Sequence, residues 1–128
     1  MERLAWVCLG GAAGSGARYL VSSCALARWS GGGIPWGTLC VNVMGSFLIG
    51  LILRLASTTN WLSPTTQLAL TVGVLGGFTT YSAFAYETFA RIEQGAWVLT
   101  GAYVLGTVAA CLAAVFLGNA AARAWVGS

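Results

Sequence analysis

The side chains best suited to chemistry in this chain are uncharged hydrogen-bonding groups that recur at helical spacing. One set at positions i, i+4 and i+8 comprises Thr38, Asn42 and Ser46. A second set at the same interval comprises Tyr103, Thr107 and Cys111. Residues four apart lie on one face of a helix, so each set predicts a polar stripe. We call them the first and the second polar stripe.

Residues 73–84 add a third polar set, inside a run at 55–86 that contains no charged residue. That run is long enough to cross a bilayer, yet its centre contains paired glycines and β-branched threonines, which weaken helices. A helix broken at mid-membrane is tolerated only where the freed backbone groups line a cavity or hold an ion. We therefore expect a break near residues 76–80 and a role in ion or solute handling. The side chains concerned are Thr79, Thr80 and Ser82, beside Tyr81 and Phe84.

The polar stripes supply hydroxyl and amide donors without a fixed charge. A small anion that has lost its water can be passed along such hydrogens, and the partly positive edges of aromatic rings assist it. A cation would instead use carboxylates or rings of carbonyls. The side chains thus favour a small anion and the broken backbone favours a cation. For any single Ser or Thr, a role in joining helices within lipid is the alternative.

Composition restricts the class of protein. Hydrophobic residues make up 58% of the chain and charged residues 7%, against about 25% charged in a soluble domain, which predicts an integral membrane protein with one domain, 1–128. The six arginines are scattered, so nucleic acid is not an expected partner. Histidine and aspartate are absent and only three glutamates occur, so the chain is not expected to be an enzyme. Residues 1–8 are not expected to form a signal peptide, because the apolar segment continues into a span.

Four apolar segments of about 20 residues predict an all-α protein with four transmembrane helices. A glycine-rich turn at 30–33 with Pro35, a polar loop at 57–64 and a short link at 93–95 separate them. Six tryptophans fall at or near the proposed ends, as expected for residues at the membrane interface. The predicted helices cover about 4–27, 35–55, 65–91 and 96–122.

The distribution of arginines sets hardly any preferred orientation. With four spans, one side of the membrane carries Arg3, Arg54 and Arg123, and the other carries Arg28 and Arg91. Because this bias is so small, the chain can insert in both directions. Four short helices also leave little room for a pore within one subunit. We therefore expect an antiparallel, dual-topology homodimer, in which two copies replace the inverted repeat of a larger transporter.

Three blocks of sequence, at 10–19, 35–47 and 73–84, carry a resemblance to the Fluc (CrcB) family of fluoride channels along essentially the whole chain. The resemblance implies a homodimer with two antiparallel pores that passively export fluoride across the bacterial inner membrane. It also implies a structural sodium ion at the centre of the dimer, held by the main-chain carbonyls of Gly76 and Thr79.

The resemblance also assigns site residues. The expected fluoride pathway combines the pore asparagine, two aromatics after the break and the second polar stripe with two further hydroxyls from the polar sets: Asn42, Tyr81, Phe84, Tyr103, Thr107, Cys111, Thr38 and Ser82. Two of these depart from the family pattern, since Tyr81 replaces a phenylalanine and Cys111 replaces a serine. Arg18 and Glu87 match family positions and are expected to be vestibule or structural charges.

Two other functions compete with a channel. A small dual-topology, proton-coupled drug exporter is the main alternative, but that mechanism needs a carboxylate near mid-membrane and Glu87 lies towards the end of the third helix. A membrane assembly factor that transports nothing is the other. It explains small-residue pairs that let helices approach closely, but it does not explain a broken helix. These pairs are Gly10 with Gly14, and Gly73 with Gly77.

Overall fold

The computed structural model describes residues 1–29 and 33–127, and within these ranges it is helical with no strand. The predicted all-α class is therefore confirmed. The predicted glycine-rich turn lies mostly outside the described residues, since 30–32 are not among them. The elements in chain order are α1 (Glu2–Arg28), α2 (Trp36–Thr58), α3 (Pro64–Leu68), a π-helical segment (Ala69–Leu75), α4 (Gly76–Phe78), α5 (Tyr81–Glu93) and α6 (Trp97–Val126).

Three stretches of the described residues are long and apolar enough to cross a membrane: Trp36–Thr58, Pro64–Glu93 and Trp97–Val126. Their length and composition match three of the four predicted spans. The remaining helix, α1, has 27 residues and so extends about 40 Å. Its glycines, its serines and Arg18 lower its hydropathy, and it is not one of the three.

The middle span, Pro64–Glu93, changes its backbone geometry along its length. Pro64 occupies the first turn and the Ser63 hydroxyl accepts a hydrogen bond from the Thr66 N–H at 3.1 Å, the usual way to begin a helix. The following segment, Ala69–Leu75, is π-helical, which the sequence did not predict. Helical geometry then continues through Phe78, and the next two residues are extended, with ψ of 158° and 113°.

The start of this interruption corrects one detail of the sequence interpretation. Gly76 is helical, with φ −62° and ψ −37°, so it does not begin the departure from helix. The reason is that the Thr79 N–H still donates to the Leu75 carbonyl at 2.9 Å, which keeps the turn regular through Phe78. The extended residues are Thr79 and Thr80.

Glycines allow the helix backbones to touch. A methyl group added at Gly10 would lie 2.7 Å from the Ala69 carbonyl oxygen, and one at Gly73 would lie 2.9 Å from the Val7 carbonyl oxygen. Methyl groups at Gly14 and Gly77 would likewise overlap the facing backbone. The predicted close-packing role of these four glycines between α1 and the middle span is confirmed.

The packing of α2 against α6 uses the same device. Added methyl groups at Gly50 and Gly118 would overlap the facing backbones of Val115 and Phe47, respectively. Tryptophans lie at the helix ends: the rings of Trp61 and Trp125 are 6.2 Å apart where α2 and α6 both finish. The two helices therefore run in the same direction.

We expect Gly118→Ala to lower the thermal stability of the purified protein, because the new methyl overlaps the α2 backbone, and overpacking of this kind costs about 1–3 kcal/mol. The matched control is Gly101→Ala on the same helix, where no atom lies within 4 Å of the added methyl. There the better helix propensity of alanine should leave stability unchanged or slightly higher. Equal loss in both variants, measured by thermal unfolding in detergent, would contradict this packing.

Candidate ion-binding groove

A groove of about 460 Å³ lies between α2, the middle span and α6. Its walls are mostly apolar, with a few polar groups that converge on it. Residues of the first polar stripe, the interruption and the second polar stripe all contribute, so the fold brings separate parts of the sequence together. We call it the central groove. The predicted site residues that line it are Asn42, Gly76, Thr79, Tyr81, Phe84, Thr107 and Cys111.

Asn42 holds the interruption in place. Its Nδ2 donates to the Thr80 carbonyl oxygen at 3.0 Å, and its Oδ1 accepts from the Thr80 N–H at 2.8 Å. One side chain thus satisfies both backbone polar groups of an extended residue, as a neighbouring β-strand would. In a bilayer such groups have no water to bond with. Asn42 therefore stabilises the extended backbone and retains a second Nδ2 hydrogen as a donor.

The same contact leaves a carbonyl without its helical partner. In a continuous helix the Thr80 N–H would donate to the carbonyl of Gly76, but here it donates to Asn42. Gly76 is exposed and lines the central groove. The Thr79 carbonyl oxygen accepts from Arg18 Nη1 across a long distance of 3.4 Å, so half-buried Arg18 lies beside the interruption. Gly76 and Thr79, whose backbone carbonyls are neutral acceptors, both line the groove at this level.

A new helix begins directly after the interruption. The Thr80 hydroxyl accepts from the Ala83 N–H at 3.2 Å, which caps the start of α5. Ser82 is exposed, and its hydroxyl lies 3.3 Å from that of Thr80. Ser82 does not line the central groove, and its hydroxyl lies beside the cap of α5.

The second polar stripe brings a hydroxyl without a partner to the central groove. Thr107 is 5% exposed, and its Oγ1 is buried with no hydrogen-bond partner in the described part of the chain. A buried hydroxyl left in this state costs about 1–3 kcal/mol. Cys111, one turn further along α6, is half-buried and lines the same groove. Thr107 therefore places a buried donor without a hydrogen-bonded acceptor in the wall of the groove.

Aromatic rings connect the central groove to a second polar cluster. The ring centroids of Tyr81 and Phe84 are 5.8 Å apart, and those of Phe84 and Tyr103 are 5.3 Å apart, all tilted. Tyr81 is 80% exposed. The chain of three rings leads from the interruption along α5 to α6.

The second cluster is built around Glu87. Its Oε1 accepts from the Thr38 hydroxyl at 2.6 Å and its Oε2 accepts from the Tyr103 hydroxyl at 3.0 Å. Arg91 donates to the Glu87 backbone carbonyl and lies 5.3 Å from the centre of the Tyr103 ring. Thr38, Tyr103 and Glu87 therefore form a site of their own outside the central groove, which we call the Glu87 cluster.

Sequence analysis gave Glu87 only a general role, as a vestibule or structural charge, and did not single out Arg91. Both have a signal in the sequence, since they are the only charged pair four apart within the third predicted helix. Their partners Thr38 and Tyr103 begin the two polar stripes. The sequence could not show that those two residues meet one carboxylate, because three helices must pack before they converge.

Residues 5–119 match the family described as CrcB-like protein, Camphor Resistance (CrcB). The chain belongs to this family. The resemblance drawn from the three sequence blocks is thus confirmed. The family match covers the residues of α2, the interruption, α5 and most of α6, and with them both the central groove and the Glu87 cluster.

Curated relatives of this family member cover nearly the whole chain. One from Anaeromyxobacter dehalogenans is 54% identical over 91% of both chains, and one from Sorangium cellulosum is 50% identical over 96% of both. A relative from Agrobacterium fabrum is 45% identical over 96% of this chain and 98% of its own. Each carries the name "Fluoride-specific ion channel FluC". Together with the three apolar spans, these relatives identify a multi-pass membrane protein.

We expect Asn42→Leu to destabilise the interruption, because Thr80 would lose both partners in a setting without water. The cost should be about 1–3 kcal/mol, seen as a lower unfolding temperature and faster hydrogen exchange at the Thr80 amide. Ser46→Ala is the control: Ser46 lies one turn along the same stripe and makes no side-chain hydrogen bond to the residues described. An unchanged rate of hydrogen exchange at the Thr80 amide in Asn42→Leu would show that the two hydrogen bonds from Asn42 are not needed.

Proposed function

We propose that this protein is a fluoride-selective channel that passively exports fluoride and lowers its concentration in the cytoplasm. Membership of the CrcB family and the names of the curated relatives support the proposal. The chemistry of the central groove supports it independently, because the lining combines uncharged donors with aromatic rings. A channel of this kind needs no enzymatic step. The comparisons give no support to the alternative drug exporter.

The unpartnered hydroxyl of Thr107 is the observation that carries the proposal. The hydroxyl can donate a hydrogen bond to an anion that enters the groove, and the anion would satisfy a donor that the protein alone leaves buried and unpaired. None of the groove-lining residues is charged, so the anion is not trapped by an opposite charge. Binding that is favourable but weak is what conduction requires.

The proposed pathway follows the aromatic rings from the central groove to the Glu87 cluster. Fluoride would pass the ring edges of Tyr81 and Phe84, which carry partial positive charge, and the donors of Asn42, Thr107 and Cys111. Thr38, Tyr103 and Ser82 complete the expected set and lie outside the central groove, Thr38 and Tyr103 at the Glu87 cluster and Ser82 at the start of α5. Glu87 and Arg18 serve as charges beside the pathway. The Tyr81 hydroxyl adds a donor where the family pattern has a bare ring, and the Cys111 thiol donates more weakly than a serine hydroxyl.

Liposomes that contain the purified protein should release fluoride and retain chloride. Thr107→Val keeps the side-chain shape and removes the donor, so fluoride release should slow by about tenfold, the loss of one hydrogen bond of about 1.4 kcal/mol. The control is Thr100→Val on the same helix: Thr100 is equally buried, but its hydroxyl donates to the Ala96 carbonyl at 2.8 Å. Equal release of both ions, or of neither, would overturn the proposal.

We also propose that two copies form an antiparallel dimer in the bacterial inner membrane, each a single four-helix transmembrane domain with α1 as the fourth span and the middle span broken at mid-membrane. The near-equal arginine counts at the two ends support dual insertion. The strongly exposed Tyr81, beside an open groove, supports a second copy as its cover.

A cysteine introduced at the end of α6 should react with an impermeant thiol reagent from both sides of sealed membranes. Reaction from one side only would exclude dual topology.

A structural sodium ion at the dimer centre is the proposed cofactor. Its ligands would be the carbonyl oxygens of Gly76, which has lost its helical donor, and of Thr79, which retains a lone pair beside the long Arg18 contact. Uncharged carbonyl oxygens at an unwound helix suit a sodium ion. The ion would hold the interruptions of two subunits together without being transported.

Replacing sodium with a larger organic cation during purification and assay should lower the unfolding temperature and slow fluoride release at least about tenfold, because freed carbonyls lose their partner. Thr79→Ala should show the same sodium dependence as the unmodified protein, since the proposed ligand is its main-chain oxygen. Full stability and release without sodium would exclude the ion. Sodium dependence lost in Thr79→Ala alone would reassign the ligand to the hydroxyl.

A further inference from the structure

Arg54 differs from the other half-buried arginines. Three of the six arginines, Arg18, Arg54 and Arg91, are half-buried, and the others are exposed. Arg18 donates to the Thr79 carbonyl, and Arg91 donates to the carbonyls of Gly33 and Glu87. By contrast, the Nε of Arg54 is fully buried and has no hydrogen-bond partner in the described ranges. A buried, unpaired N–H on a permanent cation is costly next to lipid.

Neither the neighbouring hydroxyls on α2 nor the glutamates accept a hydrogen bond from Arg54. The nearby hydroxyls of Ser57 and Thr58 both donate to the Arg54 backbone carbonyl, at 2.9 and 2.8 Å, and so are turned towards the helix backbone. Of the three glutamates, Glu87 is held by Thr38 and Tyr103 in the Glu87 cluster. Glu2 and Glu93 are exposed.

The position of Arg54 indicates what the acceptor is. It lies one helical turn before the end of α2 at Thr58, about 6 Å along the axis, where the Trp61–Trp125 pair marks the membrane interface. It also lies one turn after Gly50, on the face of α2 that packs against α6. Lipid headgroups are found at this depth, and their phosphates are the natural partners of a guanidinium.

We propose that Arg54 binds the phosphate of an anionic phospholipid headgroup. A guanidinium presents Nε and one Nη as a flat fork that matches two phosphate oxygens, so one headgroup would satisfy the buried Nε and an Nη together. Because Nε is buried in the single chain, binding requires the Arg54 side chain to turn its guanidinium towards the headgroups, as long arginine side chains near helix ends do.

Native mass spectrometry and thermal unfolding with added phosphatidylglycerol test the site on the full-length protein. The unmodified protein should retain phosphatidylglycerol and unfold at a higher temperature with it than with phosphatidylcholine. Arg54→Gln should lower the affinity by about tenfold or more, the loss of at least one charge-assisted bond. Arg123→Gln, which alters an exposed arginine at the same end, should retain the lipid. Arg54→Lys keeps the positive charge but not the planar guanidinium, so this variant should bind phosphatidylglycerol with intermediate affinity. It also keeps the test valid if Arg54→Gln fails to fold.

Three results would overturn the proposal. Retention of phosphatidylglycerol by both Arg54 variants at unmodified affinity would show that the lipid binds elsewhere. Equal stabilisation by inorganic phosphate alone would indicate a site for a free anion. A dimer that dissociates in the Arg54 variants with every lipid tested would assign the guanidinium to a carboxylate of the second copy.

Discussion

The paired hydrogen bonds between Asn42 and the peptide groups of Thr80 are the contact on which the rest of the site depends. Lipid cannot satisfy backbone polar groups, so two extended residues in a membrane-spanning segment need partners from the protein. The Thr79 N–H still bonds its own helix, and the Thr80 hydroxyl caps the next one. The Thr79 carbonyl accepts from Arg18. For the N–H and the carbonyl of Thr80, one amide side chain from α2 supplies both bonds.

The two hydrogen bonds between Asn42 and Thr80 have consequences on both sides of the interruption. Before it, the Gly76 carbonyl loses its helical donor and is left at the groove. After it, α5 begins in a new direction, which sets the positions of Tyr81, Phe84 and, two turns on, Glu87. Thr38 lies on the same helix as Asn42, one turn earlier, and reaches that carboxylate. A single face of α2 therefore positions the interruption and the Glu87 cluster together.

Local patterns predicted much of this structure. Helix ends followed from tryptophan, proline and polar loops, and the close approach at Gly14 and Gly73 followed from their small-residue spacing. The shared groove of Asn42, Thr107 and Cys111 followed from the two stripes. Which side chains meet between different helices was harder to predict. Thr38 lies in the same polar stripe as Asn42, yet it bonds Glu87 outside the groove. Gly76 was expected to leave the helix because glycine weakens helices. The hydrogen bond from the Thr79 N–H to the Leu75 carbonyl keeps it helical instead. Such outcomes depend on which helix faces which, and spacing within one helix does not contain that information.

The π-helical segment Ala69–Leu75 has a consequence for chain length. Each of its bonds spans five residues rather than four, so the segment holds one residue more than an α-helix joining the same two ends would need. That surplus turns the helical side chains between the segment and the interruption by about 100°. A relative that lacked one residue here could keep both flanking helices intact and still aim its interruption at a different neighbour. The π-helical segment is therefore a position where the loss of one residue can reorient the interruption without changing the flanking helices.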